Sequence, residues 1–370
     1  MKTKAALLQR QPGKWEIVEA ELDEPEEGEV LVKMAYAGLC HSDDHLAKGD
    51  IPLSLPRNGG HEGSGTVERV GPGVKALSVG DHITTSFVAP CGQCRWCTSG
   101  MQHLCDSGST YLTGSMPDGT FRMHHQGKPV GKGGALGTFS EWNVFAERSC
   151  IKIQDNIPLD AACLLGCGVP TGWGSAVHAA QVAPGDVVIV MGIGGIGANA
   201  LQGARHAAAA RIIAVDIVAS KREKALEFGA TDFVTDMGDA TELARSLTNG
   251  QGADSAIVTI GKIDAESIAL AFSSIRKAGT VAVTSQGAVT SSGIPISHFE
   301  LSMYQKRIQG VLYGNSSPRR EVPRLLTLYA EGLLKLDELI TARYTLEQIN
   351  EGYQDMLDGK NIRGVIDFDR

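Results

Sequence analysis

A strand, a glycine-rich turn and a helix near the middle of the chain restrict its fold more than any other feature. The stretch DVVIVMGIGGIG is an apolar run that leads into Gly192, Gly194 and Gly197, and ANALQGARHAAAA after it has a helical pattern. Glycines in the spacing G-x-G-x-x-G let the backbone approach a pyrophosphate, and the helix N-terminus supplies N–H donors. The stretch predicts a dinucleotide site, with a purely structural turn of an α/β domain as the alternative.

The next predicted strand carries the second half of this pattern. RIIAVD ends in Asp216, 19 residues after Gly197. A carboxylate at the tip of the second strand accepts hydrogen bonds from an adenosine ribose and repels a 2′-phosphate. Asp216 therefore predicts NAD(H) rather than NADP(H).

The order of the predicted elements indicates two domains. Residues 1–150 read as short strands separated by glycines, which is typical of a partly closed barrel or sandwich. From residue 169 strands alternate with helices of about a dozen residues, which predicts a doubly wound parallel sheet. Two amphipathic helices and a closing strand, RGVIDFD, then return to the first domain. We predict an α/β chain in which a nucleotide-binding domain, 169–311, is inserted between 1–168 and 312–370.

Charge and hydropathy exclude several classes of partner. The net charge is −8 and no basic run of five or more residues occurs, which argues against a nucleic-acid surface. The N-terminus has only a four-residue apolar stretch, too short for a signal peptide, and no apolar run reaches the ~18 residues of a membrane-spanning helix. We expect a cytoplasmic protein, in which thiols stay reduced.

Half of the eight cysteines lie in APCGQCRWCTSGMQHLC, as Cys91, Cys94, Cys97 and Cys105. Disulfides, an iron–sulfur cluster and a bound metal ion are the alternatives. The spacing C-x2-C-x2-C-x7-C suits four thiolates around a tetrahedral zinc ion, whereas the bacterial iron–sulfur run has a three-residue last gap followed by proline. We predict a structural zinc lobe at about 91–105. Its four ligands leave no open coordination position for chemistry.

Three further residues could form a second metal site. Cys40 and His61 lie on turns after predicted strands, and Cys167 lies just before the nucleotide-binding domain. Two thiolates and one imidazole leave a fourth zinc position open for water or substrate. The spacing alone does not distinguish such a site from ordinary packing of buried Cys and His.

Several motifs together resemble a known family. GLCHSDDH, GHEGSGTVERVGPGV, the four-cysteine lobe, GCGVPTGWGSAV and GIGGIG occur in the order and spacing of the zinc-dependent medium-chain alcohol dehydrogenases. GGHEGSG, MPDGTFR and GYQDMLDGKNIRGVI are similar to the nicotinoprotein, nitrosodimethylaniline-dependent branch of that family. The resemblance covers nearly the whole chain. It implies a Rossmann domain inserted in a GroES-like catalytic domain and, for the branch, a tightly held NAD(H) recycled by a second substrate or redox carrier.

The resemblance also implies roles for individual residues. The catalytic zinc ligands it implies are Cys40, His61 and Cys167, with Glu62 close to the metal. Asp43 would orient His61, and the alcohol proton would pass from Ser42 through the cofactor ribose to His45, a surface histidine. An apolar substrate channel would include Ile51, Phe87 and Leu136. The cofactor contacts implied are His41, Thr171, Gly192, Gly194, Gly195, Ile196, Gly197, Asp216, Lys221 and Arg363, of which His41 replaces an arginine found in several family members.

The function expected from all of this is oxidation of a small alcohol to its aldehyde, with two zinc ions and NAD(H) per subunit. A thiol-adduct formaldehyde dehydrogenase is a rival within the same class. A non-catalytic NAD-binding redox sensor is the alternative from another class, and it would not need an open zinc site. The segment SMYQKRIQGVLYG resembles an edge strand that joins nucleotide-binding domains in the family, which predicts a homodimer or homotetramer.

Overall fold

The computed structural model describes residues 1–370, with the side chain of Ser109 excepted. Its contacts divide the chain into two compact units, Met1–Cys167 with Ser317–Arg370, and Gly168–Ser316. The second unit contains a parallel sheet between helices, and the first is rich in β-structure. The predicted fold class, a doubly wound domain inserted into a β-rich one, is confirmed.

The strands and helices are numbered in chain order. The strands are β1 (Lys2–Leu8), β2 (Trp15–Leu22), β3 (Glu29–Gly38), β4 (Arg57–Asn58), β5 (Gly63–Val70), β6 (His82–Thr85), β7 (Met123–His125), β8 (Lys128–Lys132), β9 (Trp142–Ala146), β10 (Cys150–Lys152), β11 (Val187–Met191), β12 (Arg211–Val215), β13 (Asp232–Val234), β14 (Ala253–Val258), β15 (Ile275–Val283), β16 (Arg307–Gly310), β17 (Ile340–Tyr344) and β18 (Arg363–Asp367). The helices are α1 (His41–Lys48), α2 (Arg95–Thr98), α3 (Thr110–Thr113), α4 (Leu159–Cys163), α5 (Gly168–Gly174), α6 (Gly195–His206), α7 (Arg222–Glu227), α8 (Met237–Leu247), α9 (Ala265–Ser274), α10 (His298–Met303), α11 (Pro318–Ala330) and α12 (Ile349–Leu357).

The first unit combines a small barrel with a larger sheet. The barrel has the order β1-β2-β7-β8-β4, and the sheet has the order β10-β6-β5-β3-β18-β17, with β9 also paired to β3. The last strand, β18, runs antiparallel to β3, with Val365 opposite Gly38. This pairing brings Arg363, at the start of β18, to the end of β3, where the chain turns into Cys40 and α1.

The second unit is a six-stranded parallel sheet in the order β13-β12-β11-β14-β15-β16. The central strand β11, VVIVM, is apolar throughout because helices cover both faces of such a sheet, and Val188, Ile189 and Val190 are fully buried. The chain moves from β11 to β12 on one side and later returns to β14 on the other. The glycine turn after β11 therefore lies at the switch point where doubly wound sheets bind their ligands.

The end of the second unit differs from the sequence prediction. The chain returns to the first unit at Ser317 rather than at residue 312. The turn Tyr313–Asn315 stays with the second unit because it packs on α5. A Cβ at Gly314, which has a φ of +63°, would lie 2.9 Å from the Cα of Gly174, so the close contact needs glycine on both sides.

None of the helices in the described part of the chain combines the length and the apolar character that crossing a bilayer requires.

Candidate active site

Four buried side chains of the first unit converge on one point. Potential ligand atoms of Cys40, His61, Glu62 and Cys167 all lie within 4.8 Å of one another. Cys40 precedes α1, His61 and Glu62 lie on the turn before β5, and Cys167 follows α4. Cys40 and Cys167, 127 positions apart in the sequence, thus lie close together because the turns that carry them face each other. Two sulfurs, one imidazole and one carboxylate are a donor set that fits zinc.

The two cysteines of this cluster share one hydrogen bond, and their pKa values move apart. A hydrogen bond shared with Cys167 lowers the pKa of Cys40 well below that of an ordinary thiol, against the opposing effect of burial, and nearby His61 lowers it further. The same sharing, with burial, raises the pKa of Cys167. The cluster thus favours the thiolate form of Cys40 over that of Cys167.

His61 is oriented by a carboxylate. Asp43 is fully buried, its Oδ2 lies 2.9 Å from His61 Nδ1, and its Oδ1 accepts a 3.1 Å hydrogen bond from the N–H of Gly60. Burial alone would lower the pKa of His61, but the charges of Asp43 and the two cysteines raise it well above its usual value. With Nδ1 directed to Asp43, Nε2 is the nitrogen left to bind a metal.

Glycine permits the turn that carries His61. Gly60 has a φ of +87°, in the left-handed region that other residues rarely adopt, and a Cβ there would lie 2.6 Å from Phe139 Cδ1. Gly134, on a facing turn, packs equally closely, since its Cβ would lie 3.0 Å from His61 Cγ. The imidazole is therefore fixed by backbone on both sides.

Arg363 pairs with Glu62, a contact that the resemblance did not imply. Its guanidinium donates a hydrogen bond to Glu62 Oε2, and both side chains are buried. Despite burial, which would lower it, the pKa of Arg363 is raised by the charge of Glu62 and the neighbouring cysteines. The pairing of β18 with β3 brings Arg363 to this carboxylate. Its predicted contact with the cofactor stays a prediction.

Helix α1 carries the predicted relay. Ser42 Oγ lies 3.7 Å from Cys40 Sγ, next to the cluster. His45 was predicted to be a surface histidine, and this is wrong: it is only 5% exposed, and its Nδ1 lies 2.6 Å from Asp50 Oδ2. Asp50 follows the left-handed Gly49 that ends the helix, which turns its carboxylate back toward His45. Burial lowers the pKa of His41, so this residue is a neutral donor at most.

The three predicted channel residues have different surroundings. The ring of Phe87 packs edge-on against that of His61, with centroids 5.8 Å apart. Leu136 is 1% exposed and packs in the apolar core of the first unit with Val30 and Met34, and it lines a small cavity together with Phe87. Ile51 is half-buried beyond α1, where its carbonyl accepts a hydrogen bond from Gln11.

The four cysteines of the lobe also meet at one point. The sulfurs of Cys91, Cys94, Cys97 and Cys105 lie within 4.8 Å of one another. Backbone N–H groups of Cys91 and Ser107 donate to Cys105 Sγ at 3.3 and 3.4 Å. Burial would raise the pKa of Cys105, but these donors lower it to about 6. Backbone donors directed at sulfur are what a thiolate–zinc site requires, so the lobe fits a zinc ion.

The glycine turn of the second unit fits a pyrophosphate. Gly192 has a φ of +96°, and a Cβ at Gly197 would overlap the Gly192 carbonyl. A Cβ at Gly194 would meet no atom within 4 Å, so this side of the turn is open. No side chain caps the first turn of α6, which starts with Gly195 and Ile196, so its N–H groups are not occupied by a capping residue.

Asp216 follows β12 beside this turn. Its Oδ2 accepts a 2.7 Å hydrogen bond from the N–H of Ile193 and lies 2.9 Å from Lys221 Nζ, and its Oδ1 accepts from the N–H of Val218. The two predicted adenosine-side residues, Asp216 and Lys221, are thus an ion pair. Thr171 lies on α5, where its carbonyl accepts a hydrogen bond from Ser175.

Sequence reasoning missed three residues that the structure singles out. Asp50 pairs with His45 and could have been found from its spacing across the helix-ending Gly49. Tyr111 has charged residues of the cluster among its electrostatic neighbours, and Arg57 binds the backbone beside Tyr111. No local pattern indicates either role, because Tyr111 is remote in sequence from the ligands and the bond from Arg57 to Leu112 joins residues 55 positions apart.

Comparisons with known proteins agree with this geometry. The profile of the family described as "Alcohol dehydrogenase GroES-like domain" matches residues 26–155, and that of "Zinc-binding dehydrogenase" matches residues 195–331. The chain is 50% identical over 366 residues to an NDMA-dependent alcohol dehydrogenase of Amycolatopsis methanolica, covering 99% of both chains. It is 48% identical to a putative alcohol dehydrogenase D of Mycobacterium tuberculosis, covering 99% of this chain and all of the relative. The crystal structure of benzyl alcohol dehydrogenase from Acinetobacter calcoaceticus superposes with a TM-score of 0.92 at 29% identity, covering 99% of each chain.

Proposed function

The chain belongs to the zinc-binding alcohol dehydrogenase family, and from this premise we propose that it transfers a hydride between an alcohol and an NAD(H) that stays bound while a second acceptor recycles it. Alcohol dehydrogenase activity itself follows from the family and its relatives. The observation that supports a zinc-assisted reaction at an alcohol is the buried cluster of Cys40, His61, Glu62 and Cys167.

We assign one zinc ion to each of the two clusters. Cys91, Cys94, Cys97 and Cys105 would hold the structural ion, and Cys40, His61 and Cys167 the catalytic one, with Glu62 beside it. Zinc at the second site supplies a Lewis acid that lowers the pKa of an alcohol, and the nicotinamide supplies the hydride acceptor. The pairing of Glu62 with Arg363 supports this assignment, because it keeps the carboxylate from competing permanently for the open position.

Residues of this chain would accept the alcohol proton and pass it on. Asp43 holds a proton on His61 Nδ1, which fixes the ring for binding through Nε2. The hydroxyl of Ser42, next to Cys40, would accept the alcohol proton, and His45 would take it further. Because His45 is buried and paired with Asp50, we propose that the proton leaves through this pair rather than from an exposed imidazole.

Replacing Asp43 with asparagine is expected to weaken zinc binding at the catalytic site by roughly 10–100-fold, because the partner that orients His61 is lost. The asparagine oxygen still accepts from Gly60, so the turn is retained. The measurement is competition with a chelator, following the two zinc ions separately. The lobe zinc is expected to be unaffected.

Asp44→Asn is the matched control. Asp44 is the next residue on α1 and pairs with Lys48 at 2.6 Å, away from the cluster. This variant is expected to bind zinc like the parent. An Asp43→Asn protein with the same zinc affinity as Asp44→Asn would contradict the role given to Asp43.

The glycine turn and Asp216 support NAD(H) as the nucleotide. The turn offers an open face and free helix N–H groups to a pyrophosphate, and Asp216 would receive the adenosine ribose. A 2′-phosphate would face this carboxylate, although Lys221 beside it carries the opposite charge. His41 and Thr171 stay proposed contacts from the resemblance alone.

Replacing Asp216 with serine is expected to reduce the preference for NAD over NADP by about 10–100-fold. The 2′-phosphate of NADP would gain one charge-assisted hydrogen bond from Lys221, and its repulsion by the carboxylate would be removed. Lys221 would lose its partner and become available to the 2′-phosphate. The measurement is competition of the two dinucleotides for cofactor-depleted protein, with the bound nucleotide quantified after denaturation. Asp232→Asn, which breaks a pair with Arg211 on another strand, is the control. A parent protein that binds both dinucleotides equally would contradict the assignment.

Retention of the cofactor is supported by the relative from Amycolatopsis methanolica, whose name states dependence on NDMA. An artificial acceptor of this kind is needed when reduced nicotinamide is not exchanged for fresh NAD. In the cell a small redox carrier would take the place of that acceptor.

We further propose that the chain forms a homodimer or homotetramer through the edge of the second sheet. β16 is the last strand of that sheet and has one unpaired edge. The neighbouring α10 exposes large apolar side chains, with Phe299 61% and Met303 66% exposed. The dependence of both metal sites on free thiols supports a reducing, cytoplasmic location.

A further inference from the structure

A tyrosine outside the residues discussed above stands near the catalytic cluster with no internal partner. Tyr111 lies on the one-turn helix α3 and is half-buried. Its hydroxyl makes no hydrogen bond to any described residue. By contrast, Tyr329 donates to Asp337 at 2.8 Å and Tyr344 donates to Asp355 at 2.9 Å. The O–H of Tyr111 is therefore not committed to another described residue and is available to a ligand.

Two contacts place α3 beside the ring of His61. The helix packs against the turn Gly133–Ala135, and Gly134 in that turn lies against the His61 side chain. A small cavity of about 20 Å³ is lined by both Thr110 of α3 and Phe87, the residue whose ring packs on His61. The helix that carries Tyr111 therefore packs beside residues that contact the metal ligand His61.

The electrostatic surroundings of Tyr111 agree with this position. Burial raises the pKa of the phenol to about 12, and the negative charges of Asp43, Cys167 and Cys40 contribute against the opposing effect of His61. The hydroxyl therefore stays protonated near neutral pH, where it is available as a hydrogen-bond donor close to the charged groups of the cluster.

A buried arginine fixes α3. Arg57 is 1% exposed and donates to the carbonyl oxygens of Ser54 at 2.7 Å, Lys132 at 2.9 Å and Leu112. No carboxylate pairs with it among the described residues. Burial lowers the pKa of Arg57 to about 10, because the charged guanidinium loses hydration inside the protein. Leu112 directly follows Tyr111, so the arginine fixes the backbone that positions the phenol.

We propose that Tyr111 is a further specificity-determining residue of the alcohol site, and that its O–H donates a hydrogen bond to a second oxygen of the substrate, with Arg57 as its positioning residue. The reacting oxygen of the alcohol already has a proposed hydrogen-bonding partner, the hydroxyl of Ser42. A lone donor elsewhere in the site favours substrates that bring an acceptor to it and disfavours those that leave it unpaired. The substrate class is thus alcohols with an ether or second hydroxyl oxygen. This inference rests on the proposed function of the Cys40 cluster.

Isosteric substrates test the proposal. Methoxy- and ethoxy-alkanols differ from plain alkanols of the same length only by an oxygen that accepts and does not donate. The ether oxygen is placed at successive positions along the substrate. At one position, kcat/KM of the parent for the ether substrate is expected to be roughly threefold to tenfold higher than for the matched alkanol, which is the value of one neutral hydrogen bond. The assay contains both NAD and nitrosodimethylaniline, so it does not depend on how the cofactor is recycled.

Tyr111→Phe is expected to remove this preference, mainly through KM for the ether substrate, while kcat for plain alkanols and zinc content stay unchanged. Tyr329→Phe, a distant Tyr→Phe change on α11, is the control and should keep the preference. Arg57→Lys is expected to lose the preference as well, since lysine cannot reach three carbonyls. If that variant fails to fold, Tyr111→Phe alone decides.

Equal preferences in the parent and in Tyr111→Phe at every position would overturn the assignment. Loss of turnover with all alcohols in Tyr111→Phe would also overturn it, because the hydroxyl would then act on the reacting oxygen. A parent that oxidises neither series would contradict the proposed function itself, and this inference with it.

Discussion

Cys40→Ser is expected to lose one of two zinc ions and to reduce alcohol turnover by at least about 10³-fold, while the protein stays folded. Serine does not offer the thiolate that zinc prefers, and the other ligands would be left without the charge that Cys40 supplies. Loss of several kcal/mol of stabilisation at the reacting oxygen corresponds to that factor. The measurements are metal content per chain, steady-state turnover and circular dichroism.

Two further cysteine variants make this result specific. Cys150 is buried but belongs to neither cluster, so Cys150→Ser should keep both zinc ions and normal turnover. Cys105→Ser should lose the other zinc ion and melt at a lower temperature. A Cys40→Ser protein with two zinc ions and unchanged alcohol oxidation would show that the catalytic site has been assigned wrongly.

The second large effect concerns the cofactor. After extensive dialysis and then denaturation, the protein is expected to release about one nicotinamide dinucleotide per chain. Retention through dialysis implies a dissociation constant of about nanomolar or below. Turnover with added NAD alone should be small, and turnover with nitrosodimethylaniline should be much larger, because the acceptor oxidises the nicotinamide in place.

Asp216→Ala is the informative variant for this prediction. Removing the carboxylate that would receive the ribose is expected to release part of the dinucleotide during dialysis and to make turnover respond to added NAD. The control is Asp232→Asn, which should retain the cofactor. A parent protein that is free of nucleotide after dialysis and turns over rapidly with NAD would be an ordinary dehydrogenase with an exchangeable cofactor.

The sequence predicted the elements whose chemistry depends on local spacing. The glycine turn could be located because β11, the turn and α6 are consecutive, and the left-handed Gly192 and the close contact of Gly197 with its carbonyl lie in one stretch of chain. The four-cysteine lobe was found in the same way, since its residues span only fifteen positions. For these two motifs, the spacing in the sequence was enough to predict which residues lie together in the fold.

The catalytic cluster needed more than spacing. Cys40, His61 and Cys167 meet only because β3, β5 and α4 pack together, and pattern alone left packing of buried residues as an alternative. The motifs shared with the family were needed to select them. Tyr111 has no such motif, and the packing of α3 on the turn at Gly134 is what brings its helix close to His61.

The prediction of His45 as a surface residue failed, because the role was carried over from a resemblance without its partner. In this chain His45 is buried and pairs with the partly buried Asp50, five residues further along. The pairing of Arg363 with Glu62 was not predicted either, because it depends on strand pairing between residues 301 positions apart in the sequence. The second unit extends past the predicted end at residue 311 to Ser316, because Gly314 packs on α5.

The central claim is that this protein moves a hydride from an alcohol to a nicotinamide that it holds. The most direct test is to oxidise the purified protein with nitrosodimethylaniline, supply one equivalent of an alcohol deuterated at the carbon that bears the hydroxyl, and recover the dinucleotide for mass spectrometry. We expect one deuterium atom on the nicotinamide ring, and none in the Cys40→Ser protein. Aldehyde formed by the parent without deuterium in the recovered nicotinamide, or no aldehyde at all, would contradict the proposed function.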